Sequence, residues 1–239
     1  MAGHSKWKQI KHKKAIADSK RAQKFTKLIK EISVAARVGG GDPNGNPRLR
    51  FLLEKARDIN MPLENSMRAI KKGTGELPGA QYEAYQYEGY GPGGIAVIID
   101  VLTDNKNKAI AELRHVFSRK GGHVAESGAV SWMFERMGVI RTEPTSLSED
   151  KLIEQLMKYD IKDISREDDN SYEIICDPRS LDDVKQAAAN MGLKVTESEL
   201  EWVPKTAISL SEESEEKAVD FLQAIEELED VQNVYANLA

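Results

Sequence analysis

Charge changes sign along this chain, and that change limits the architectures open to it. Residues 1–75 hold 18 of the 34 Lys and Arg but only 6 of the 39 Asp and Glu, a net charge of +12. The remaining 164 residues carry a net −17, so the overall −5 conceals two opposed parts. A basic module attached to an acidic body accounts for such a partition. The basic part suits a polyanion, while like charge on the acidic part discourages non-specific adhesion to RNA or DNA.

A length of 239 residues accommodates two or three small domains, and 40% apolar residues are enough for real cores. No run approaches the roughly 18 uninterrupted apolar residues of a spanning helix, so no membrane is expected. Residues 1–14 are basic, but no apolar segment follows them, which argues against a secretory signal. A mitochondrial presequence would be longer and rich in Ser and Arg, so the expected location is cytoplasmic. The single cysteine, Cys176, allows no internal disulfide and fits a reducing compartment.

Within the basic third, Lys6, Lys8, Lys11, Lys13 and Lys14 surround Trp7 and His12, with Ile10 as the lone aliphatic residue. A segment with so little to bury reads as a mobile arm that orders on a polyanion, with the Trp7 indole offering a base a stacking surface. From Asp18 to Val38 the period becomes helical, capped at Asp18 or Ser19 and stopped by Gly39, Gly40 and Gly41. Phe25, Leu28, Ile29, Ile32 and Ala36 share one arc, and Lys20, Lys24 and Lys27 gather opposite, beside Arg21 and flanked by Lys30 and Arg37. Asn46 and Pro47 start a second helix, with Leu49, Leu52, Leu53 and Ala56 inward. Pro62 opens a third that stops at Gly73, with Met67 and Ile70 as expected core contacts. Arg48, Arg50, Lys55, Arg57, Arg68, Lys71 and Lys72 stay outside, where arginines can clamp phosphate bidentately.

Beyond the turn-rich stretch Leu77–Ala80, short strands and helices alternate. Tyr82–Tyr90 and Ile95–Leu102 read as a hairpin around a glycine cluster. That cluster precedes a strand instead of following one, so it is a turn and not a dinucleotide loop. Lys106–Arg119 reads as a helix and Val124–Phe134 as another strand. From Gly138 the order becomes β-α-β-β-α-β: Val139–Thr142, Glu149–Tyr159 capped by Ser148, Ile161–Ser165, Tyr172–Cys176, a helix from Ser180 to Met191, and Lys194–Val203. This is the order of a ferredoxin-like split sheet. A strand at Ala207–Leu210, a helix capped by Ser211 and a strand at Val231–Tyr235 close the chain. Those last elements lack an opening half, whereas residues 80–134 have strands in surplus, so the two stretches belong together. The expected fold is α+β, with a helical N-terminal domain (1–79), a central ferredoxin-like domain (80–134 plus 205–239) and a second ferredoxin-like domain inserted into it (135–204).

Enzymatic constellations are not apparent. His4, His12, His115 and His123 lack metal-ligand spacing, and the sequence carries no nucleophile elbow, phosphate loop or Cys–His signature. Cys176 follows Ile174 and Ile175 in an expected strand and reads as buried and inert. The acids Glu226, Glu227, Glu229 and Asp230 read as solvated surface near a helix end. No enzyme activity, cofactor, metal or small-molecule substrate is expected.

Particular residues carry a resemblance. Met1 to Trp7 followed by Ile10 to Lys14, then Asp18, Lys20, Arg21, Phe25 to Lys27, Asn46 to Arg50, Asn60 to Pro62 and Ile70 to Gly73 resemble the YebC/PmpR family. So do Tyr87 to Gly94, Thr103 to Asn105, Arg114 to Phe117 and Gly121 with Gly122. The similarity spans the whole chain. It implies three domains around a central cleft, the last inserted into the second. It also implies one of two roles: a DNA-binding transcriptional regulator, or a ribosome-associated translation factor acting at difficult stretches such as proline runs.

Either role needs a polyanion-binding face. The expected contacts are Lys6, Trp7, Lys8, Lys11, His12, Lys13, Lys14, Lys20, Arg21, Lys24, Lys27, Arg48, Arg50, Arg57, Arg68, Lys71 and Lys72. Lysines position a protein on phosphate without reading base edges, and an arm with Trp7 and His12 suits splayed RNA. DNA and ribosomal RNA both stay open as partners.

Overall fold

The computed structural model describes the backbone of residues 18–239 and the side chains of residues 22–239. Two compact units divide these residues. One centres on Ser131–Ile208, and the other joins the described chain up to Val130 with Ser209–Leu238.

The second of these units begins with three helices, α1 (Asp18–Gly39), α2 (Pro47–Asp58) and α3 (Leu63–Gly73). Asn46 joins the first two. Its Oδ1 accepts from the Leu49 amide at 3.0 Å, capping α2, while its Nδ2 donates to the Ala35 and Gly40 carbonyls at 2.9 and 2.8 Å. Leu28, Ile32, Ala36, Leu49, Leu52, Ala56, Ala69 and Ile70 form the core. Burying each large aliphatic side chain contributes about 1.5–3 kcal/mol.

Met67, expected inside, is 46% exposed, and the inward face of α3 is Ser66, Ala69 and Ile70. Close approach to α1 is the cause. A Cβ on Gly73 would stand 2.2 Å from the Ser33 carbonyl oxygen and 2.9 Å from the Ala36 Cβ. Small residues are selected along that line, and the longer Met67 is turned outward.

Next come β1 (Glu83–Tyr90), β2 (Ala96–Thr103), α4 (Lys106–Lys120) and β3 (His123–Ala125). From the far end of the chain the same unit receives α7 (Glu212–Glu226) and β8 (Val231–Ala236). The sheet order is β3-β1-β2-β8, with every neighbouring pair antiparallel. Strand counting in the sequence therefore assigned β8 to the correct sheet. β2 and β3 run parallel with β1 between them, and β8 lies on the far side of β2. This is the spatial arrangement of a ferredoxin-like sheet, except that the strand in third place comes first in the chain. The α4 and α7 helices pack on one face, where Leu113, Phe117, Phe221 and Ile225 meet Val97, Ile99 and Val234. The Phe117 and Phe221 rings meet edge to face at 4.9 Å.

The hairpin turn after β1 needs its glycines. Gly93 and Gly94 have φ of 72° and 77°, which other L-residues rarely adopt. A single turn of 3-10 helix, Pro92–Gly94, occupies the expected loop.

Two expected strands are corrected. The segment Val124–Phe134 is not one strand: β3 stops at Ala125, and the chain turns at Gly128, whose φ is 91°. The amides of Gly128 and Val130 donate to the buried Glu88 carboxylate at 2.8 and 2.7 Å. A side chain has taken the donors that a neighbouring strand would use. Ala207–Leu210 likewise forms no strand. It makes an isolated bridge at Ile208, whose carbonyl accepts from the Ala239 amide at 2.9 Å.

The other unit contains β4 (Phe134–Thr142), α5 (Glu149–Leu156), β5 (Ile161–Arg166), β6 (Tyr172–Cys176), α6 (Leu181–Asn190) and β7 (Val195–Pro204). Its sheet order, β5-β6-β4-β7, is the ferredoxin-like arrangement, antiparallel throughout. β4 begins at Phe134, five residues before the expected Val139, because its first residues pair with the end of β7. α5 ends at Leu156 instead of Tyr159, and the Ser148 and Ser180 side chains make no capping bond to their helices. Ile140, Leu152, Leu156, Tyr172, Ile174, Val184 and Ala188 form the core. Arg141 carries the polar part, ion-paired to Glu173 at 2.5 Å, Glu201 at 2.7 Å and Glu197 at 3.0 Å. Those carboxylates outweigh burial and raise the guanidinium pKa well above its ordinary value, so Arg141 stays charged.

Candidate nucleic-acid interface

The α1 lysines do not form one open row. Lys24 is exposed. One turn on, Lys27 Nζ donates to the Glu226 carbonyl at 2.8 Å. Lys30, 3% exposed, donates to the Glu229 carbonyl at 3.2 Å and the Asp230 carboxylate at 2.5 Å. Carbonyls at a helix C-terminus lack intrahelical donors and carry partial negative charge, so α7 draws these ammonium groups to its end. The expectation of a solvated acidic run at residues 226–230 is corrected accordingly, since Asp230 is buried.

Asp230 is held from a third side. Thr103 Oγ donates to its other carboxylate oxygen at 2.8 Å and accepts from the Asn105 amide at 3.0 Å. Asn105 in turn caps α4, its Oδ1 accepting from the Lys108 amide at 3.1 Å. The run Thr103 to Asn105 thus links α1, α4 and β8. Tyr82 lies beside Lys30, its ring centroid 5.5 Å from Nζ, and its carbonyl accepts from Arg37 at 2.7 Å. Burial, then the charges of Asp104, Glu229 and Asp230, raise the Tyr82 hydroxyl pKa.

The remaining expected contacts lie on the outer faces of α2 and α3. Arg48 pairs with Glu31 at 2.7 Å, with its guanidinium 5.7 Å from the Phe51 ring centroid. Arg50 and Arg57, two turns apart, share one exposed side of α2. Arg68 pairs with Glu64 at 2.9 Å, and Lys71 and Lys72 are exposed in the last turn of α3. Lys20 and Arg21 lie on α1, but their side chains are outside the described ones. Lys6, Trp7, Lys8, Lys11, His12, Lys13 and Lys14 lie outside the described residues.

A groove of about 310 Å³ runs along the end of α1, lined by Val34, Ala35, Val38, Asn46, Leu102 and the Glu31–Arg48 pair. Its lining is mainly apolar, and its two charged members, Glu31 and Arg48, are paired with each other. Among the described residues no group of three His, Cys, Asp or Glu stands close enough to hold a metal ion. Nor is any described helix long and apolar enough to cross a membrane. Cys176 is buried on β6, and burial, helped by Asp177, pushes its thiol up to about 11.

Two family descriptions match the chain: "TACO1/YebC protein N-terminal domain" over residues 5–76 and "TACO1/YebC second and third domain" over residues 82–238. A protein of Desulfosudis oleivorans named "Probable transcriptional regulatory protein" is 48% identical over 99% of this chain and 96% of its own length. One of the same name from Chloroherpeton thalassium is 48% identical over 100% of this chain and 95% of its own. The crystal structure of a conserved hypothetical protein from Aquifex aeolicus superposes with a TM-score of 0.88 at 44% identity, covering 98% of this chain and 97% of that one.

Proposed function

We propose that this chain, which belongs to the TACO1/YebC family, is a non-enzymatic regulator of gene expression that binds the phosphate backbone of nucleic acid through its basic N-terminal third. The observation that carries this reading is the +12 net charge confined to residues 1–75. On the described helices it leaves Lys24, Arg50, Arg57, Lys71 and Lys72 at the surface. Relatives named as transcriptional regulatory proteins support a DNA-directed role. A ribosomal-RNA reading has its own support in the site chemistry. The cations are mainly lysines on α1 and α3, which hold phosphate without reading base edges, and Trp7 and His12 in residues 1–14 suit unstacked bases.

The test is fluorescence anisotropy with duplex DNA and with structured ribosomal RNA fragments across a salt series. Affinity for the true ligand falls linearly on a log–log plot, with a slope of about 0.7–0.9 per neutralised phosphate. Arg50→Glu with Arg57→Glu, Lys71→Glu with Lys72→Glu, and deletion of residues 1–14 each weaken binding and flatten the slope. Unchanged affinity in all three variants at every salt concentration overturns the reading. A sucrose gradient of lysate, with and without RNase, then separates the roles: RNase-sensitive co-migration with ribosomal particles supports translation, and sedimentation at the top supports transcription.

A further inference from the structure

Two short helices in different parts of the chain carry the same unusual feature, a pair of large apolar side chains left in solvent one turn apart. On α3 these are Leu63, 70% exposed, and Met67, 46% exposed. On α5 and its cap they are Ile153, 38% exposed, and Met157, 73% exposed. Residues four apart on a helix stack along one line, and residues three apart flank it. On α3 the apolar line continues to Lys71, and the flanking line reads Glu64, Arg68, Lys72. On α5 the line begins at Glu149, and the flanking line reads Asp150 and Glu154.

Laid antiparallel, the two patterns match position by position. Leu63 meets Met157, Met67 meets Ile153, and Lys71 meets Glu149. In the flanking lines Arg68 meets Glu154 and Lys72 meets Asp150. For two right-handed helices face to face, antiparallel packing puts these flanking lines on the same side of the contact. Parallel packing puts them on opposite sides and sets Lys71 against Met157. Apolar seams edged by complementary charge are what select orientation and partner between helices. An α3 face on another α3 pairs Glu64 with Arg68 but leaves Lys71 and Lys72 facing no acid, and an α5 face on another α5 leaves Glu149 and Asp150 facing no cation on the opposing helix.

We propose that α3 of one copy packs antiparallel against α5 of a second copy, so that the chain self-associates head to tail. Both halves of the contact are present in one sequence, with opposite charge around equal apolar pairs, and this makes a second copy the occupant. Because the contact is heterologous, each added copy leaves one α3 and one α5 open, giving growing chains or a closed ring. The proposal does not depend on the nucleic-acid reading, and its test is made in the absence of nucleic acid.

The experiment is sedimentation velocity on nuclease-treated full-length protein over a wide concentration range. Weight-average mass is expected to rise above the monomer with concentration and to fall back with added salt. One variant carries Arg68→Glu and Lys72→Glu, the other Asp150→Lys and Glu154→Lys. Each alone opposes like charges in every copy, and its association constant falls by about tenfold or more. Mixing the two restores association, because each acidic α3 now finds a basic α5. That rescue also shows that both variants are folded. A wild-type protein that stays monomeric at all concentrations, or two variants that fail to recover on mixing, overturns the proposal.

Discussion

Lys30 and Asp230 form an ion pair across 200 residues of sequence, with the Lys30 Nζ 2.5 Å from the Asp230 Oδ1 and neither residue more than 6% exposed. The pair joins the first described helix to the loop before the last strand. Removing one partner strands a buried charge, which costs about 3–5 kcal/mol. Asp230→Ala is therefore expected to lower the urea midpoint sharply, while Lys30→Met with Asp230→Leu recovers most of the loss. Equal destabilisation in the single and double variants would show that packing, and not charge, governs this site.

Glu88 organises the loop that follows β3. Its carboxylate accepts from the Gly128 and Val130 amides at 2.8 and 2.7 Å. Glu88→Ala leaves the buried Val130 amide unsatisfied, at about 1–3 kcal/mol, while the Gly128 amide, on an exposed residue, can turn to water. Amide exchange at Gly128 and Val130 should accelerate more than exchange at Val97 and Ile99. Uniform acceleration across all four positions argues against a local role.

Gly89 sits where β1 passes under α4. A Cβ there would stand 2.5 Å from Phe117 Cε1 and 2.6 Å from the His123 carbonyl oxygen, and the backbone oxygen cannot yield as a side-chain tip can. Gly89→Ala is expected to cost at least about 1–3 kcal/mol by overpacking. Gly94→Ala, with open space around the Cβ, acts through its positive φ alone. Thermal unfolding of the two variants compares clash with backbone strain.

Cys176 should resist alkylation in the folded protein. Burial and Asp177 hold its thiol near 11, against about 8.5 in an unfolded chain. A raised acid pKa favours the unfolded state once pH passes the unfolded value, so this thiol withdraws stability progressively from about pH 8.5 to 11. Iodoacetamide labelling at pH 8 should be slow in buffer and fast in urea. Rapid labelling in buffer would mean that β6 opens readily.

The apolar arcs of α1 and α2 and the insertion of one α+β unit within another were legible because burial imposes a period and strands need partners. Met67 was misread for a reason in the packing. The sequence displays hydrophobicity, but the closeness of α3 to α1 rewards smallness, and Gly73 touches Ser33 and Ala36. The strand expected through Phe134 failed because a carboxylate forty residues earlier claims its amides. Lys27 and Lys30 looked like members of a solvated row, since their partners at Glu226, Glu229 and Asp230 lie some two hundred residues further along. Charge partition showed which third of the chain is basic, but not which of its cations the fold consumes internally.

The position of β8 beside β2 has a consequence for vectorial synthesis. β2 is complete by residue 103, yet its outer neighbour is not made until residues 231–236. Chains emerge N-terminus first, and domains fold as units as they appear. The Ser131–Ile208 unit has all its strands in hand while the sheet containing β2 still waits with an unpaired edge. Its hydrophobic strand, Ala96 to Thr103, must be shielded through that interval. A nascent chain arrested before Val231 is thus the form of this protein most exposed to mispairing.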